Sequence, residues 1–410
     1  MRVLVVGSGG REHALAWRLS LSPGPVELHA APGNPGIAAL ATCHPVAADD
    51  AEGLLGLARF LGVELVVVGP EAPLVAGVAD VLRHAGLTVF GPSAAAAQIE
   101  GSKSFAKDVM AAAGVPTAAL LDAPRAPCVL KADGLAAGKG VVVCRTQTEL
   151  AAGLEVARGF GDVVIVEELL DGPEVSLFAI CDGTDAVALA PSRDYKRAFD
   201  RDEGPNTGGM GSYAPVPDVS ESALAALMET CIRPVLGELA SRGSPFVGTL
   251  FAGLMLTASG PRVLEYNCRF GDPETQSVLP LVDGDLVAAL AAAASGSLAG
   301  VSLGHVAGAA VTVALVAGDY PSVGDRGTAI EGIADAEADG ALVFHAGTAL
   351  NDGSLVTNGG RLLGVTATGP TLADARSAAY AAADRIRIPG SRRREDIALG
   401  DAGARVKRTG

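Results

Sequence analysis

The chain opens on an apolar run, Arg2 to Val6, which Gly7-Ser8-Gly9-Gly10 breaks; from Arg11 to Ser20 the apolar positions Ala14, Leu15 and Leu19 then fall at helical spacing. The pattern predicts a buried strand, a glycine turn and a helix. Such a turn directs backbone N–H groups and the positive helix end at an anion. Further strands are expected at Glu27 to His29, at Glu64 to Val68 running into Gly69-Pro70-Glu71-Ala72-Pro73, and at Leu87 to Phe90 running into Gly91-Pro92. Strand ends of this kind converge on one crevice of an open parallel α/β sheet, and residues 1 to about 100 are read as one such Rossmann-like domain. A nicotinamide-dependent oxidoreductase is the rival reading of the turn. It fits poorly, because the third glycine of G-x-G-x-x-G would fall at Glu12 and no acidic residue follows the second strand in the ribose-binding manner.

A second region starts with the helix Gly101 to Ala113, on which Lys103 and Lys107 share a face at i, i+4. The strand Cys128 to Lys131 enters Ala132-Asp133-Gly134-Leu135-Ala136-Ala137-Gly138-Lys139-Gly140, and a strand Val141 to Cys144 leaves it. A glycine-rich hairpin flanked by Lys131 and Lys139 can fold its backbone over phosphates; it is no P-loop, which would run into a helix. The strand Val163 to Val166 leads into Glu167-Glu168-Leu169-Leu170-Asp171-Gly172-Pro173-Glu174. That segment can hinge two lobes and offer backbone groups to an adenine, with Glu174 accepting from ribose hydroxyls. Ser192 to Arg197 is a dense charged cluster before the loop Gly204 to Gly211, in which Asp194 suits an ammonium and the Arg and Lys side chains a carboxylate or phosphate.

Val263-Leu264-Glu265-Tyr266-Asn267 alternates as a strand, so Val263, Glu265 and Asn267 are expected on one face. A carboxylate and an amide oxygen two residues apart form a hard ligand pair suited to Mg2+. Arg269 follows with a planar fork of donors, and Gly271-Asp272-Pro273-Glu274 closes the strand with two more carboxylates. The neighbouring strand, Gly248 to Leu256, carries no carboxylate, so the metal must lean on Glu265 and Asn267. From about Val301 short strands (Val311 to Val316, Ala341 to His345, Leu362 to Thr366) precede an alanine-rich helix, Leu372 to Ile386, giving a β-rich α+β region. Arg361, on a turn, is placed to reach a phosphate, and the charged tail after Pro389 is expected to be only partly ordered. His44, His84, His305 and His345 read as structural, whereas His13 lies nearer to the glycine turn.

Composition narrows the class. Net charge of −15 argues against a nucleic-acid partner and makes local lysine clusters stand out as anion sites. The 49% hydrophobic content comes in short runs that fall short of the ~20 residues of a membrane span. The six cysteines include no C-x-x-C pair, which reads as reduced thiols of a cytoplasmic protein. Met1 to Gly7 reads as a first strand, lacking the features of a secretory leader.

The strings V-G-S-G-G-R-E-H-A-L-A-W, V-G-P-E-A-P-L-V, G-S-K-S-F-A-K, K-A-D-G-L-A-A-G-K-G-V, G-P-N-T-G-G-M-G and E-Y-N-C-R-F-G-D-P-E-T-Q, spread over essentially the whole chain, resemble the phosphoribosylamine–glycine ligase family of the ATP-grasp fold. The resemblance implies an N-terminal domain (1–100) for phosphoribosylamine, an ATP-grasp domain (101–300) with a flap lobe at about 119–182, and a C-terminal domain (301–410). It implies a monomer joining glycine to 5-phosphoribosylamine with ATP as co-substrate and Mg2+ or Mn2+, another carboxylate–amine ligase of the same fold being the alternative. By the same resemblance Lys103 and Lys131 hold phosphates beneath a flap that includes Gly138, Lys139 and Gly140. Glu167, Glu168 and Leu170 line the adenine, and Glu174 the ribose. Glu265 and Asn267 hold the metal, and Arg269 neutralises the transferring phosphoryl group. Asp194 and Lys196 orient glycine. Gly9, Gly10 and Glu71 hold phosphoribosylamine, with Asp272, Pro273, Glu274 and Arg361 completing the substrate pocket. The sequence departs from the family at Tyr195, where His is usual, in a short Pro116 to Cys128 connection that lacks a helix, and in the tail Arg392 to Ile397.

Overall fold

The computed structural model of the chain describes residues 1–135 and 140–400. Five strands, β1 (Arg2–Gly7), β2 (Glu27–Pro32), β3 (Thr42–Cys43), β4 (Leu65–Val68) and β5 (Val89–Phe90), form a parallel sheet in the order β3-β2-β1-β4-β5. Val3 to Val6 are fully buried, as expected of strands covered on both faces by helices. Sheet order reverses around β1, so Gly7 after β1 and Gly69 after β4 flank the switch point where open α/β sheets bind ligands. The helix α1 (Gly10–Ser20) leaves from there.

A small lobe follows. Here β6 (Cys128–Ala132), β7 (Val141–Cys144) and β8 (Val164–Glu168) form an antiparallel sheet in the order β7-β6-β8. The helix Gln147–Arg158 covers it through a separate core of Cys128, Leu130, Cys144, Leu150 and Ala157. Strand β8 runs two residues beyond the apolar run, so Glu167 and Glu168 are strand residues and not part of a linker. The connection from Pro116 to Pro127 contains no helix. It is stitched to the core where Val263 N–H donates to the Pro116 carbonyl (2.8 Å).

Beyond it come β9 (Glu174–Asp182), β10 (Ala186–Ala188), β11 (Arg193–Asp194), β12 (Arg197–Phe199), β13 (Glu203–Asn206), β14 (Gly211–Ala214), β15 (Val247–Thr257) and β16 (Gly260–Asn267). An antiparallel sheet in the order β10-β9-β15-β16 backs the site. Strands β11 and β14 instead join Ala309–Ala317, Arg361–Gly369 and Leu342–His345 in one sheet, so residues 193–214 are continuous with the C-terminal strands.

Two expectations change. Strand β16 is bulged at Leu264: Glu265 pairs Gly253 while Val263 pairs Leu254. The extra residue turns Val263 into the same core as Tyr266, leaving only Glu265 and Asn267 for the site. The tail is also ordered to residue 400. Arg394, 1% exposed, pairs with Asp396 (2.7 Å) and Asp202 (2.8 Å) and lies over the Tyr195 ring at 4.8 Å. Ile397 is buried beside it. Arg394 thus joins a neighbour in the tail to Asp202, far away in the sequence, and that distant partner is what the local density of charge does not reveal.

Candidate active site

The end of β16 forms the floor of the site. Burial alone would raise the Glu265 carboxyl, but Lys196, Lys131, Lys103 and Arg269 together hold it below its ordinary value. Lys131 Nζ donates to the Leu264 carbonyl exposed by the bulge (2.7 Å). It also pairs with Glu167 (2.8 Å), whose other oxygen takes Lys107 (2.8 Å). The Glu167 carboxylate is thus occupied by two ammonium groups and holds Lys131 in place. Asn267, 7% exposed, accepts from Arg269 Nη2 through Oδ1 (3.2 Å), while its Nδ2 finds no partner among the described residues. No group of three or more His, Cys, Asp or Glu side chains able to hold a metal occurs among the described residues. An ionised carboxylate and an amide oxygen fit a Mg2+ ion that completes its shell with water and nucleotide phosphate.

The helix Lys103–Ala112 begins beside the lobe. Asp133 caps this start, accepting from the Lys103 N–H (2.6 Å) and the Ser104 hydroxyl (2.6 Å), while Lys103 Nζ donates to the Gly134 carbonyl (2.9 Å). Gly138 and Lys139 lie outside the described residues. Gly140 bonds back through its carbonyl to the Ala132 N–H (2.9 Å). Leu170 is half-buried just past β8, and the Glu168 carboxylate accepts from the Ala119 N–H (2.8 Å).

Across the floor, Glu174 pairs with Lys196 at 2.6 Å. Burial works to lower the Lys196 ammonium, and Asp194, Glu174 and Glu265 overcome this and hold it well above its ordinary value. Asp194 behaves differently: burial, opposed by Lys196 and reinforced by Glu274 and Glu174, pushes it up to about 7. An acceptor that gains full charge only near neutrality beside a fixed ammonium suits a zwitterion.

A third group of predicted residues meets where the N-terminal, central and C-terminal strands converge. Arg361 donates to the Asp272 carboxylate (2.5 Å) and carbonyl (2.9 Å) and to the Gly208 carbonyl. Gln276 Nε2 holds the other Asp272 oxygen (2.8 Å) and lies close against Gly10, where an added Cβ would sit 2.6 Å from it. Pro273 packs on Gly209 and its carbonyl accepts from Ser212 (3.0 Å). Glu274 is 3% exposed and takes the Ser176 hydroxyl (3.2 Å), so it lies beneath the floor. Gly9 N–H goes to Glu12 (2.7 Å), which occupies the place of the missing third glycine. Glu71 is spent on Arg269 (3.2 Å) and Arg11 (3.6 Å). Arg269 also pairs with Glu100 (3.2 Å), so this guanidinium is held in place on the floor. Glu100, Glu12 and Gln276 join the site without having been singled out by sequence: Glu12 marks the break in the glycine pattern and Gln276 ends E-Y-N-C-R-F-G-D-P-E-T-Q, whereas Glu100 carries no local signal. His13, near the turn, accepts from the His345 N–H (2.8 Å), and burial pushes it down to about 3, so both rings are neutral packing.

A small antiparallel lobe with Lys131 at its base, set beside an oxygen pair at the end of β16, is the arrangement of the ATP-grasp fold. Comparison agrees: the phosphoribosylglycinamide synthetase N domain matches residues 1–100, its ATP-grasp (A) domain residues 101–275 and its C domain residues 310–400. The phosphoribosylamine–glycine ligase of Streptomyces coelicolor is 51% identical over 98% of this chain and 100% of its own. That of Brucella melitensis biotype 1 is 49% identical over 97% of each. The crystal structure of the Thermotoga maritima ligase superposes with a TM-score of 0.81 at 35% identity, covering 97% of this chain and 100% of that one. The MgADP- and bicarbonate-bound biotin carboxylase domain of Hydrogenobacter thermophilus 2-oxoglutarate carboxylase shares the fold, with a TM-score of 0.70 at 18% identity over 95% and 91%. The chain belongs to the phosphoribosylamine–glycine ligase family. No helix among the described residues is long and apolar enough to cross a membrane.

Proposed function

We propose that the chain ligates glycine to 5-phosphoribosylamine through a glycyl phosphate formed on the floor of this cleft. The overall reaction, an ATP-dependent carbon–nitrogen ligation of purine biosynthesis giving glycinamide ribonucleotide, ADP and phosphate, follows from the family. Glycine's carboxylate is a poor electrophile. Its oxygen attacks the γ-phosphorus, ADP leaves, and the amine of phosphoribosylamine then attacks the acyl carbon and expels phosphate. Both steps ask the protein for position and charge neutralisation more than for covalent chemistry.

The observation that carries this reading is the convergence of Lys196, Lys131, Lys103 and Arg269 on Glu265. Lys103 and Lys131 exchange backbone carbonyls for phosphate oxygens, and Glu168, Leu170 and Glu174 serve the nucleoside. Asp194 and Lys196 hold the ammonium and carboxylate of glycine. Gly9, Gly10, Asp272 and Arg361 receive phosphoribosylamine, and Arg269 acts by fixing Asn267. Bound at Glu265 and Asn267, Mg2+ neutralises phosphate charge, with Mn2+ as a substitute. The chain works as a monomer in the cytoplasm. Glycine labelled with 18O in its carboxylate tests the intermediate: one labelled oxygen must appear in the released phosphate. Unlabelled phosphate, or phosphate released without glycine, overturns it.

A further inference from the structure

A chain of alternating charges, buried at Glu12 and Arg11 and half-buried at Glu71, runs from the glycine turn to the metal strand. Glu12 Oε2 accepts from the Gly9 N–H (2.7 Å), and Oε1 accepts from Arg11 Nε (2.5 Å). Arg11 Nη1 lies 3.6 Å from Glu71, whose same oxygen takes Arg269 Nε at 3.2 Å. Arg269 Nη2 reaches Asn267 Oδ1 at 3.2 Å and Glu100 at 3.2 Å, and Glu100 in turn accepts from the Cys268 N–H (2.8 Å). The side chains of Arg11 and Glu12 are 8% and 3% exposed.

The fold makes room for this chain at a cost. A Cβ on Gly7 would sit 2.6 Å from Glu12 Cγ, and one on Gly69 would collide with Glu12 Oε1. Glycine at both strand ends is therefore what admits the Glu12 carboxylate. Buried ion pairs rarely add net stability over apolar residues of similar volume, so stability alone does not account for five charged side chains crossing a domain boundary. Their geometry does something an apolar plug cannot. It ties the N–H of the turn to the amide oxygen at the metal end through one sequence of directional contacts, and the Phe270 carbonyl takes both arginines along the way.

We propose that Glu12 and Arg11 are positioning residues that couple the glycine turn to the metal end of β16, so that occupancy of the sugar-phosphate pocket and of the nucleotide pocket are linked. The proposal rests on the reading above that the phosphoribosyl group sits at Gly9 and Gly10. Glu12→Gln keeps an acceptor for Gly9 but removes the charge facing Arg11, and Glu12→Gln combined with Arg11→Met removes both charges and leaves no buried ion unpaired. The test measures MgADP affinity of the full chain by calorimetry, with and without saturating glycinamide ribonucleotide. We expect the product to change MgADP affinity at least about fivefold in the parent chain, the lower end of ordinary coupling between sites. In both variants the factor falls below twofold while MgADP affinity measured alone stays within twofold. An unchanged factor in the variants, or none in the parent, overturns the proposal. Failure of glycinamide ribonucleotide to bind at all overturns the placement of the sugar phosphate as well, and its binding without coupling overturns the coupling alone.

Discussion

The floor of the site and the lobe above it use different cations for different work. On the floor, Arg269 and Arg11 are buried and each is tied in more than one direction: Arg269 to Glu71, Glu100, Asn267 and the Phe270 carbonyl, Arg11 to Glu12, Glu71 and the same carbonyl. At the lobe, the ammonium groups of Lys131 and Lys103 donate to backbone carbonyls, those of Leu264 and Gly134, and Lys131 is anchored in addition by one carboxylate, Glu167. A planar fork satisfied at several points is a fixed strut, whereas an ammonium on a flexible stem can trade a carbonyl for a phosphate oxygen. The cores divide the same way. The lobe rests on five fully buried side chains of its own, while Val263, Tyr266 and Cys268 belong to the large core shared with the N-terminal sheet. The floor is built to stay in place and the lobe to re-form its contacts around a nucleotide.

The sharpest way to break this contrast is Arg269→Met. It strands Glu100 in a nearly buried place and leaves the half-buried Glu71 with Arg11 alone, and removing one partner of a buried pair costs about 3–5 kcal/mol. Urea denaturation should show that loss, and adding Glu71→Gln with Glu100→Gln should recover most of it. A loss under about 1 kcal/mol, the scale of an exposed pair, would mean the strut is no strut. Next in size is Glu265→Gln, which keeps the shape and removes a charge around which four cations gather. Turnover should fall on the order of 10²–10³-fold, as for loss of one preorganised electrostatic contact, with the fold retained and the denaturation midpoint lowered because the carboxylate those cations favour is gone. Near-normal turnover would remove Glu265 from the metal site.

How much of this was readable beforehand differs between the same two regions. Strands with continuous apolar runs, such as β1 and β4, and the glycine turn after β1 were legible because period and breaker residues are local signals. Glu265 and Asn267 were legible as a pair, but the bulge at Leu264 was not, since it is set by pairing with β15. The partners of Arg269 were illegible for the same reason: Glu100 and Glu71 lie more than 150 residues away in the chain. Arg394 repeats the lesson, a charge in an apparently loose tail that is fully buried against Asp202. Local residue types announce which chemistry is available, and long-range pairing decides which groups are left free to do it.

Asp194 offers a subtler probe of the floor. Burial pushes its carboxyl up to about 7, far above the value of an unfolded chain, so the folded protein keeps a proton that the unfolded chain has released. Two consequences have opposite signs. Folding stability falls as pH rises from about 4 towards 7, and Asp194→Asn should therefore raise the melting temperature at pH 8 while leaving it nearly unchanged at pH 4. Glycine binding needs the carboxylate, so KM for glycine should rise as pH falls from 8 to 6, by up to about tenfold for one pH unit below the midpoint. In Asp194→Asn that pH dependence should vanish, with KM high throughout. A parent KM flat over this range would exclude Asp194 as the ammonium acceptor.

The smallest effect is expected at Tyr195, between Asp194 and Lys196. Its hydroxyl accepts from the Ala398 N–H (2.8 Å), and its ring lies beneath the Arg394 guanidinium, so the tail braces the strand that carries Asp194 from behind. Tyr195→Phe keeps the ring and removes the acceptor. A lost hydrogen bond of this kind costs about 1 kcal/mol, and in a chain of 410 residues the melting temperature should drop by only about 1 °C. KM for glycine should change less than twofold, because Asp194 is also fixed by its pairing with Ser212 in β14. A large rise in glycine KM with little thermal shift would move Tyr195 from the brace into the pocket. The tail would then belong with the lobe, among the parts that respond to ligand, and the division between fixed arginines and exchanging lysines would have to give up Arg394.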